Sequence, residues 1–461
     1  MQQGHVDQII WGMLEKDVLK QGFGVTGDSI RLKFEELIRS RARGGFTIGQ
    51  LVHQSTLNDW GALTFDDISG SPYRALASRR DADLSTTLTK DISLNMPLVS
   101  ANMESVTGYD MAVCMARMGG IGVLHQFISP ENQADSLNKV KETAAEPVEI
   151  DGRVFKPALD KNGRYLVGAA IGVKEGNLAR AKLLAEAGAD ILVVDIAHGH
   201  SDHMINTVRE LKKLYPKIPV VGGNVVTPKG AYELCNAGVD VIKVGVGPGA
   251  ACTTRLVTGY GIPQITAIYQ TAIIAKEFNV KIMADGGIRN SGDMIKALAA
   301  GADTIMAGSI LAATDKSNNF KERILEHYDG GKPKSILYFG SASALSKQKQ
   351  GRGSYEAPEG RSACLPYRGP TLHVLSKLIT GMESGISYAG SSRNLKKPHD
   401  ANIQRLRTKS RWIKQTNSGI QEGNKGNSDA DYGLNVVQNG KSSQSNLELY
   451  GSNNSNQDSN I

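Results

Sequence analysis

The chain has 461 residues, 40% of them hydrophobic and 21% charged, with 51 glycines and a formal net charge of +7. No apolar run reaches the roughly 18–20 residues that a membrane span needs, and the acidic N-terminus does not fit a signal peptide. The four cysteines (Cys114, Cys235, Cys252 and Cys364) are widely spaced without a CxxC pair, which argues against a disulfide framework and a zinc site. This composition predicts a globular cytoplasmic protein that needs no membrane.

Residues 1–60 are predicted to form a helical N-terminal extension. The stretches "VDQIIWGMLEKDVLKQG" and "DSIRLKFEELIRSRARGG" both have helix-like patterns. In the second, Asp28 or Ser29 is a candidate N-cap, and Gly44 and Gly45 are a stop signal.

The middle of the chain contains an internal repeat. The stretches "LLAEAGADILVVD", "ELCNAGVDVIKVG" and "ALAAGADTIMAG" each read as a helix, then Ala-Gly-(Ala/Val)-Asp, then an apolar strand. Gly188, Gly238 and Gly301 suit the left-handed position that ends a helix. The β-branched runs that follow are typical of strands buried on both faces, as in a parallel sheet.

Residues 61–392 are predicted to form a closed (β/α)8 TIM barrel, which belongs to the α/β class. Eight β/α units over about 250 residues match the size of that fold, and a doubly wound open sheet is the alternative. The eight predicted strands are Pro97–Ala101, Ile121–His125, Leu166–Ala170, Ile191–Asp195, Pro219–Gly223, Val241–Val244, Lys281–Ala284 and Thr304–Ala307.

The loops after these strands are predicted to carry the chemistry, because active sites of such barrels lie at the C-terminal ends of the strands. "VGVGPGAACTTR", residues 244–255, follows the sixth strand and places one thiol, Cys252, among glycines and hydroxyls. A buried structural cysteine is the alternative interpretation of Cys252. Gly286, Gly287 and Gly308 follow the last two strands, where backbone N–H groups can approach a phosphate.

The C-terminal part divides into two predicted segments. Residues 393–414 hold eight Lys or Arg and one acid, Asp400, so the net charge is local to this basic segment. We interpret it as solvated and expect no nucleic-acid partner for the body of the chain. Residues 415–461 are rich in Asn, Ser and Gly and are predicted to be a disordered tail.

These motifs resemble the IMP dehydrogenase/GMP reductase family. The similarity runs from "LTFDD" at Leu63 to "ISYAG" at Ile386, through "DIAHGHS", "GNVVT", "GVGPGAACTTR", "ADGGIRNSGDMIKALAAGAD" and "PYRGP". The resemblance implies a homotetramer of barrels and a cysteine that attacks carbon 2 of a purine nucleotide, GMP or IMP. It also implies hydride transfer between that carbon and a nicotinamide, and a bound potassium ion.

Within the family, the local matches favour the reductase branch. "YFGSAS", "SGISYAG" and the stretch "YEAPEGRSACLPYRG", which begins in the predicted flap (about residues 344–366), are similar to GMP reductases. No Arg-Tyr pair, the water-activating dyad of the dehydrogenase flap, is present, since Arg352 and Tyr355 stand apart. We therefore expect a GMP reductase that uses NADPH to convert GMP to IMP and ammonia. The alternative is an IMP dehydrogenase without CBS domains that oxidises IMP to XMP with NAD, and NADH is a further alternative cofactor.

The resemblance assigns roles by position. Cys252 is the expected nucleophile, and Thr254 and Glu359 relay protons. The expected substrate-binding residues are Asp285, Gly286, Gly287, Gly308, Ser309, Gly340, Ser341, Ser343 and Gly360. The expected cofactor-binding residues are Ser78, Arg79, Asp195, Ile196, Ala197, Val246, Gly247, Tyr355, Glu356, Ser384, Gly385, Ile386 and Ser387. Gly247, Gly249, Cys252 and Arg255 are assigned to the potassium site.

Two departures and two rival hypotheses remain. Ala250 stands where the family usually has a serine that bonds the phosphate, a loss for which Ser309 or Ser343 is a candidate replacement, and Gln126 replaces a lysine of some reductases. Lys243 occupies the strand on which some barrel aldolases carry a Schiff-base lysine, although a structural lysine is the favoured interpretation. A catalytically silent binding protein is the non-enzymatic alternative.

Overall fold

A computed structural model describes residues 47–57, 61–73, 78–79, 82–351 and 357–390, together with the backbone of 411–414 and 435–436. The two helical patterns predicted before residue 46 lie outside the described residues. The end of that predicted extension is a helix, Ile48–Leu57. Its buried residues Ile48, Leu51 and Val52 join the main hydrophobic core.

Eight parallel strands close into a barrel in chain order. The strands are β1 (Leu98–Ser100), β2 (Ile121–Leu124), β3 (Val167–Ile171), β4 (Ile191–Asp195), β5 (Val220–Val225), β6 (Val241–Val244), β7 (Lys281–Asp285) and β8 (Thr304–Ala307). β8 pairs with β1, with Ile305 opposite Leu98 and Ala307 opposite Ser100. The predicted (β/α)8 barrel is confirmed, and this closure excludes the open sheet.

Eight helices follow the eight strands. They are α1 (Tyr109–Arg117), α2 (Pro130–Glu142), α3 (Asn177–Glu186), α4 (Asp202–Leu214), α5 (Pro228–Ala237), α6 (Gln264–Glu277), α7 (Ser291–Ala300) and α8 (Thr371–Tyr388). Several begin with a side-chain cap, such as Ser129 before α2 and Thr227 before α5, each followed by a proline in the first turn. Among the described residues, no helix is long and apolar enough to cross a membrane.

The Ala-Gly-(Ala/Val)-Asp repeat has the same structural role at three places. The predicted left-handed glycines are confirmed, with φ of +88° at Gly188, +97° at Gly238 and +126° at Gly301. The aspartate that follows each glycine accepts a hydrogen bond from the first or second residue of the preceding strand. These bonds are Val167 N to Asp190 at 2.7 Å, Val220 N to Asp240 at 2.8 Å and Ile282 N to Asp303 at 2.8 Å. The repeat thereby ties neighbouring strands together at the end of the barrel opposite the loops that carry the chemistry.

A short hairpin, Val148–Ile150 and Arg153–Phe155, lies between α2 and β3. Arg153 forms a bidentate ion pair with Glu383 of α8, at 2.8 and 2.5 Å. The hairpin therefore packs against the last helix of the barrel.

Smaller elements surround the barrel. A four-stranded antiparallel sheet contains Ile324–His327, Pro333–Phe339, Ser362–Pro366 and Asn435–Val436. Separate two-stranded pairs join Ile68–Ser71 to Arg411–Lys414, and Thr86–Thr87 to Ser93–Leu94. Short helices span Thr254–Thr258, Ser309–Ala312 and Ala344–Lys349, with 3-10 turns at Phe65–Asp67 and Lys321–Arg323.

The two predicted C-terminal segments are described only in part. Within the basic segment 393–414, Arg411–Lys414 pairs as a strand with Ile68–Ser71 instead of standing free in solvent. The predicted disorder of 415–461 falls outside the described residues, apart from Asn435–Val436, which pairs with Ala363 and Cys364.

Candidate active site

A cavity of about 830 Å³ opens at the C-terminal ends of the barrel strands. Its wall includes Asn224 of β5, residues from the loops after the other seven strands, and residues of the flap. All residues from Gly245 to Cys252, in the sequence-predicted loop after β6, line that wall. The cavity therefore lies at the C-terminal ends of the strands, where the sequence analysis predicted the active site.

The glycines after β6 allow the backbone to pass close to β7. Gly245 has φ of +152°, and a Cβ there would lie 1.9 Å from the carbonyl oxygen of Asp285. Gly247 has φ of +95°, which favours glycine because other side chains rarely adopt it. Close packing of the backbone thus explains why this loop is rich in glycine, and it brings Cys252 to the cavity.

A chain of hydrogen bonds begins at Cys252. Its half-buried thiol donates to Thr254 Oγ1 at 3.2 Å, and Thr254 Oγ1 donates to Glu359 Oε2 at 2.9 Å. All three side chains line the cavity. The three predicted catalytic residues are therefore brought together, with a path for a proton from the thiol to a carboxylate.

The flap segment that carries Glu359 is bonded to the cysteine loop through its backbone. Thr253 N donates to the Glu359 carbonyl at 2.9 Å, and Arg361 N donates to the Ala251 carbonyl at 2.9 Å. Cys252 and Gly360 form an antiparallel bridge between these bonds. Glu359 is thus held against Thr254 by a small piece of sheet.

Glycines line the end of the cavity where a phosphate was predicted. Gly286 and Gly287 have φ of +96° and +78°, and a Cβ at either would press on the neighbouring Pro248–Gly249 segment. The other predicted substrate-binding residues on the wall are Asp285, Gly308, Ser309, Gly340, Ser341 and Gly360. Ser343 is instead buried, and its hydroxyl accepts from Ser346 N at 3.2 Å to cap the helix Ala344–Lys349. Its hydroxyl is already used as a cap, which weakens Ser343 as a replacement for the serine lost at Ala250.

Lys243 is a structural lysine and not a Schiff-base lysine. Its side chain is 1% exposed and pairs with Asp195 at 2.9 Å and Asp285 at 2.6 Å. Burial alone would lower the pKa of Lys243, but the charges and hydrogen bonds of the two aspartates raise it above its ordinary value. Two carboxylates that hold Lys243 as the ammonium ion disfavour its attack on a carbonyl, which argues against the aldolase hypothesis.

The predicted cofactor residues separate into three groups. Asp195, Ile196, Ala197, Val246 and Gly247 line the cavity. The exposed Arg79 donates to the half-buried Ser384 at 3.4 Å, and Ile386 and Ser387 are buried on α8. These residues, with Ser78 and Gly385, lie outside the cavity wall of this chain. Tyr355 and Glu356 fall outside the described residues.

The potassium assignment rests on backbone carbonyls, two of which have partners within the loop. The Gly249 carbonyl accepts from Cys252 N at 2.9 Å, and the Gly247 carbonyl accepts from Arg255 Nε at 3.2 Å. Arg255 itself is exposed and braces the loop instead of contacting the thiol. The described residues hold no group of three His, Cys, Asp or Glu side chains suited to a metal ion.

Sequence reasoning missed the far end of the cavity. Gln126, noted as a departure from some reductases, lines it together with Lys174 and Asn177, which follow β3. Lys349 also lines it and pairs with Glu104, after β1, at 2.8 Å. The loops after β2 and β3 could be predicted because functional residues of such barrels follow the strands. Lys349 could not, because it reaches the cavity only through the folded position of the flap.

Comparisons with known proteins give a different branch from the one expected. The chain is 40% identical over 394 residues to the inosine-5'-monophosphate dehydrogenase of Cryptosporidium parvum, covering 80% of this chain and 95% of the relative. It is 37% identical over 399 residues to that of Borreliella burgdorferi, covering 78% and 96%. It is 34% identical over 476 residues to that of Nitrosopumilus maritimus, covering 78% and 97%.

The expectation of a GMP reductase is therefore wrong. It rested on short segments and on the missing Arg-Tyr pair, and "YFGSAS" and the flap belong to the four-stranded antiparallel sheet and its loops, outside the barrel strands. Loops vary more between relatives than the elements they connect, so local matches there are a weak guide. The identity to IMP dehydrogenases extends over most of the chain. NADPH, expected as the reductase's hydride donor, loses its support with that branch.

A family model described as "IMP dehydrogenase / GMP reductase domain" matches residues 62–425. This span contains all eight barrel strands, the cysteine loop and the flap. The chain belongs to the IMP dehydrogenase/GMP reductase family of oxidoreductases.

Proposed function

We propose that this chain is an IMP dehydrogenase that oxidises IMP to XMP with NAD. The observation that carries the proposal is the chain Cys252–Thr254–Glu359, at 3.2 and 2.9 Å, on the wall of a cavity with a glycine-lined end. The relatives, which are inosine-5'-monophosphate dehydrogenases, indicate IMP as the substrate.

The proposed orientation of the nucleotide follows from the chemistry of the wall. The phosphate takes the end lined by Gly286, Gly287, Gly308, Ser309, Gly340 and Ser341, where backbone N–H groups and hydroxyls can donate. Asp285 accepts from the ribose hydroxyls, and Gly360 lies beside the base. This arrangement directs the purine towards Cys252, between Asp285 and the flap.

The thiol of Cys252 is the proposed nucleophile. As it adds to carbon 2 of the purine, its proton has a path to Glu359 through the Thr254 hydroxyl. Asp195–Ala197, Val246 and Gly247 would hold NAD, which would supply the acceptor for the hydride that leaves carbon 2. The product on Cys252 is a thioimidate, which water must then hydrolyse to release XMP.

Thr254 and Glu359 are also the proposed activators of that water. The flap sequence has no Arg followed directly by Tyr, so the dyad of typical dehydrogenase flaps is missing. The Glu359 carboxylate, held through the Thr254 hydroxyl beside the sulfur, can accept the proton of an attacking water. Once Glu359 has released the thiol proton to solvent through the open cavity, the same relay serves the second half-reaction.

Potassium and a tetrameric assembly are further parts of the proposal. The Gly247 and Gly249 carbonyls each use one lone pair inside the loop and keep a second, which suits a hard cation with oxygen ligands. The helix Thr254–Thr258 leaves Leu256 84% exposed, and the nearby Tyr260 is 78% exposed. These apolar side chains support burial against a second copy of the chain.

The decisive experiment compares two reaction mixtures while nicotinamide absorbance is followed. Purified protein is given IMP with NAD, and separately GMP with NADPH. We expect NADH to form only in the first mixture, with XMP as the product. Turnover confined to the second mixture would refute the proposed function.

A further inference from the structure

Lys243 connects two functional carboxylates across the mouth of the barrel. Its Nζ lies 2.9 Å from Asp195 Oδ1, at the end of β4, and 2.6 Å from Asp285 Oδ2, at the end of β7. Asp195 lies on the part of the wall assigned to the dinucleotide, and Asp285 on the part assigned to the nucleotide. A single buried cation therefore spans the two halves of the cavity.

The reach of Lys243 depends on a missing side chain. In the sheet register, Gly223 of β5 pairs with Asp195 on one side and with Lys243 on the other. A Cβ at Gly223 would lie 2.6 Å from the Cβ of Lys243. Because residue 223, which lies between Asp195 and Lys243 in the sheet, is a glycine, the side chain of Lys243 can extend past β5 to Asp195.

Two asparagines complete the arrangement. Asn102 donates to Asp195 Oδ2 at 2.6 Å, so both oxygens of that carboxylate have fixed partners. Asn224 donates to Asp285 Oδ2 at 3.0 Å, the same oxygen that Lys243 contacts. Both of these side-chain contacts of Asp285 fall on Oδ2, which leaves Oδ1 for a ligand.

We propose that Lys243 is a positioning residue that sets the spacing between Asp195 and Asp285, and hence between dinucleotide and nucleotide at Cys252. The inference deepens the proposed function and rests on it. An ammonium that is paired with both carboxylates also keeps two like charges from repelling each other in a buried place. Without Lys243, the two aspartates have no shared partner, so the distance between the bound dinucleotide and the bound nucleotide is no longer fixed.

The test uses Lys243→Met and Lys243→Arg, with Lys141→Met as a matched control. Lys141 is likewise buried and bridges two carboxylates, Asp160 at 3.1 Å and Asp190 at 2.6 Å, at the opposite end of the barrel. For Lys243→Met, KM should rise for both IMP and NAD, and kcat/KM should fall about 100-fold, as for a misplacement of about 1 Å. Lys243→Arg should recover part of this loss.

Lys141→Met should lower the melting temperature about as much as Lys243→Met does. It should leave the KM values for IMP and NAD within about twofold of those of the wild type. If Lys243→Met kept both KM values, or if Lys141→Met changed them equally, the positioning role would be overturned. Isothermal titration of IMP into wild type and Lys243→Met is measured in parallel. A wild type that binds IMP without oxidising it would refute the proposed function, while a weaker affinity in Lys243→Met would still support the role of Lys243.

Discussion

Thr254 donates its hydroxyl hydrogen bond to Glu359, 105 positions later in the chain, at 2.9 Å. Thr254 begins the short helix after the cysteine loop, and Glu359 lies at the base of the flap. The backbone bond from Thr253 N to the Glu359 carbonyl, at 2.9 Å, fixes the same two segments. Since the thiol of Cys252 donates to the same threonine oxygen, the flap supplies the carboxylate at the end of this hydrogen-bond chain.

Replacement of Glu359 should separate the two half-reactions. In Glu359→Gln, the thiol can still lose its proton to solvent through the open cavity, so the first turnover should form NADH. Hydrolysis of the thioimidate lacks its proton acceptor, and kcat should fall by about 10²–10⁴-fold. Stopped-flow absorbance should then show one NADH formed rapidly per active site, followed by a slow steady state.

A suitable control is Glu186→Gln, on the solvent side of α3, which should keep the steady-state rate of the wild type. Thr254→Ser, which preserves the hydroxyl, should retain most activity, whereas Thr254→Val should resemble Glu359→Gln. A Glu359→Gln enzyme with neither a burst nor a reduced rate would contradict the relay.

Cys252→Ala should bind IMP but turn it over at least about a thousandfold more slowly, on the scale seen for lost nucleophiles. Binding should persist because the phosphate and ribose contacts are assigned to other residues. Calorimetry measures the affinity, and intact-mass spectrometry after acid quench should find the covalent adduct only in the wild type. Cys235→Ala, at a buried cysteine of α5, is the control and should stay active. Retention of most activity in Cys252→Ala would end the covalent mechanism.

Local sequence patterns predicted the barrel because each strand is a run of apolar residues after a recognisable helix stop. All eight predicted strands overlap the observed ones within about two residues. The same patterns placed Cys252 in a loop at the C-terminal ends of the strands. Hydrophobic periodicity and helix-stop residues are local properties of the sequence, so they can be recognised without knowledge of the fold.

Contacts between distant segments were not accessible in this way. The ion pair between Glu104 and Lys349 joins residues 245 positions apart, and the sequence around either residue does not predict its partner. The repeat identified Gly188, Gly238 and Gly301 through backbone conformation, but the role of the following aspartates depends on the neighbouring strand. Likewise, the sequence favoured a structural role for Lys243, but its partners Asp195 and Asp285 are identified only in the folded structure.

The repeat aspartates should matter for stability and not for catalysis. Asp240→Leu removes the acceptor of Val220 N, at 2.8 Å, and leaves Lys212 without its partner. A buried donor left unsatisfied costs about 1–3 kcal/mol, which corresponds to a melting temperature lower by several degrees. Thermal unfolding measures the loss, and kcat should be unchanged. A variant with wild-type stability would contradict the proposed tie between strands.

Asp160 should contribute to stability in a pH-dependent way. Burial tends to raise the pKa of Asp160, but hydrogen bonds from the Arg164 backbone and from Lys141 outweigh it and lower the pKa to about 2. A carboxyl whose folded-state pKa is depressed stabilises the fold above its unfolded pKa of about 3.9, and this contribution is lost as the pH falls through 2. Asp160→Asn should therefore be less stable than wild type at pH 6, and the difference should shrink towards pH 2. Denaturant unfolding at several pH values measures it, and a difference that grew on acidification would contradict this sign.

Truncation should distinguish the two C-terminal segments. Arg411–Lys414 pairs with all four residues of the strand Ile68–Ser71, whereas Asn435–Val436 adds two residues to the edge of the four-stranded antiparallel sheet. Because two pairs at an edge contribute little, a chain that ends after Lys414 should keep its kcat and melting temperature. A chain that ends after Gly390 loses the longer strand and should melt several degrees lower. The full chain is the reference for both, measured by calorimetry and by the IMP and NAD assay. If the chain ending after Lys414 lost much of its activity, residues 415–461 would have to support the flap that carries Glu359.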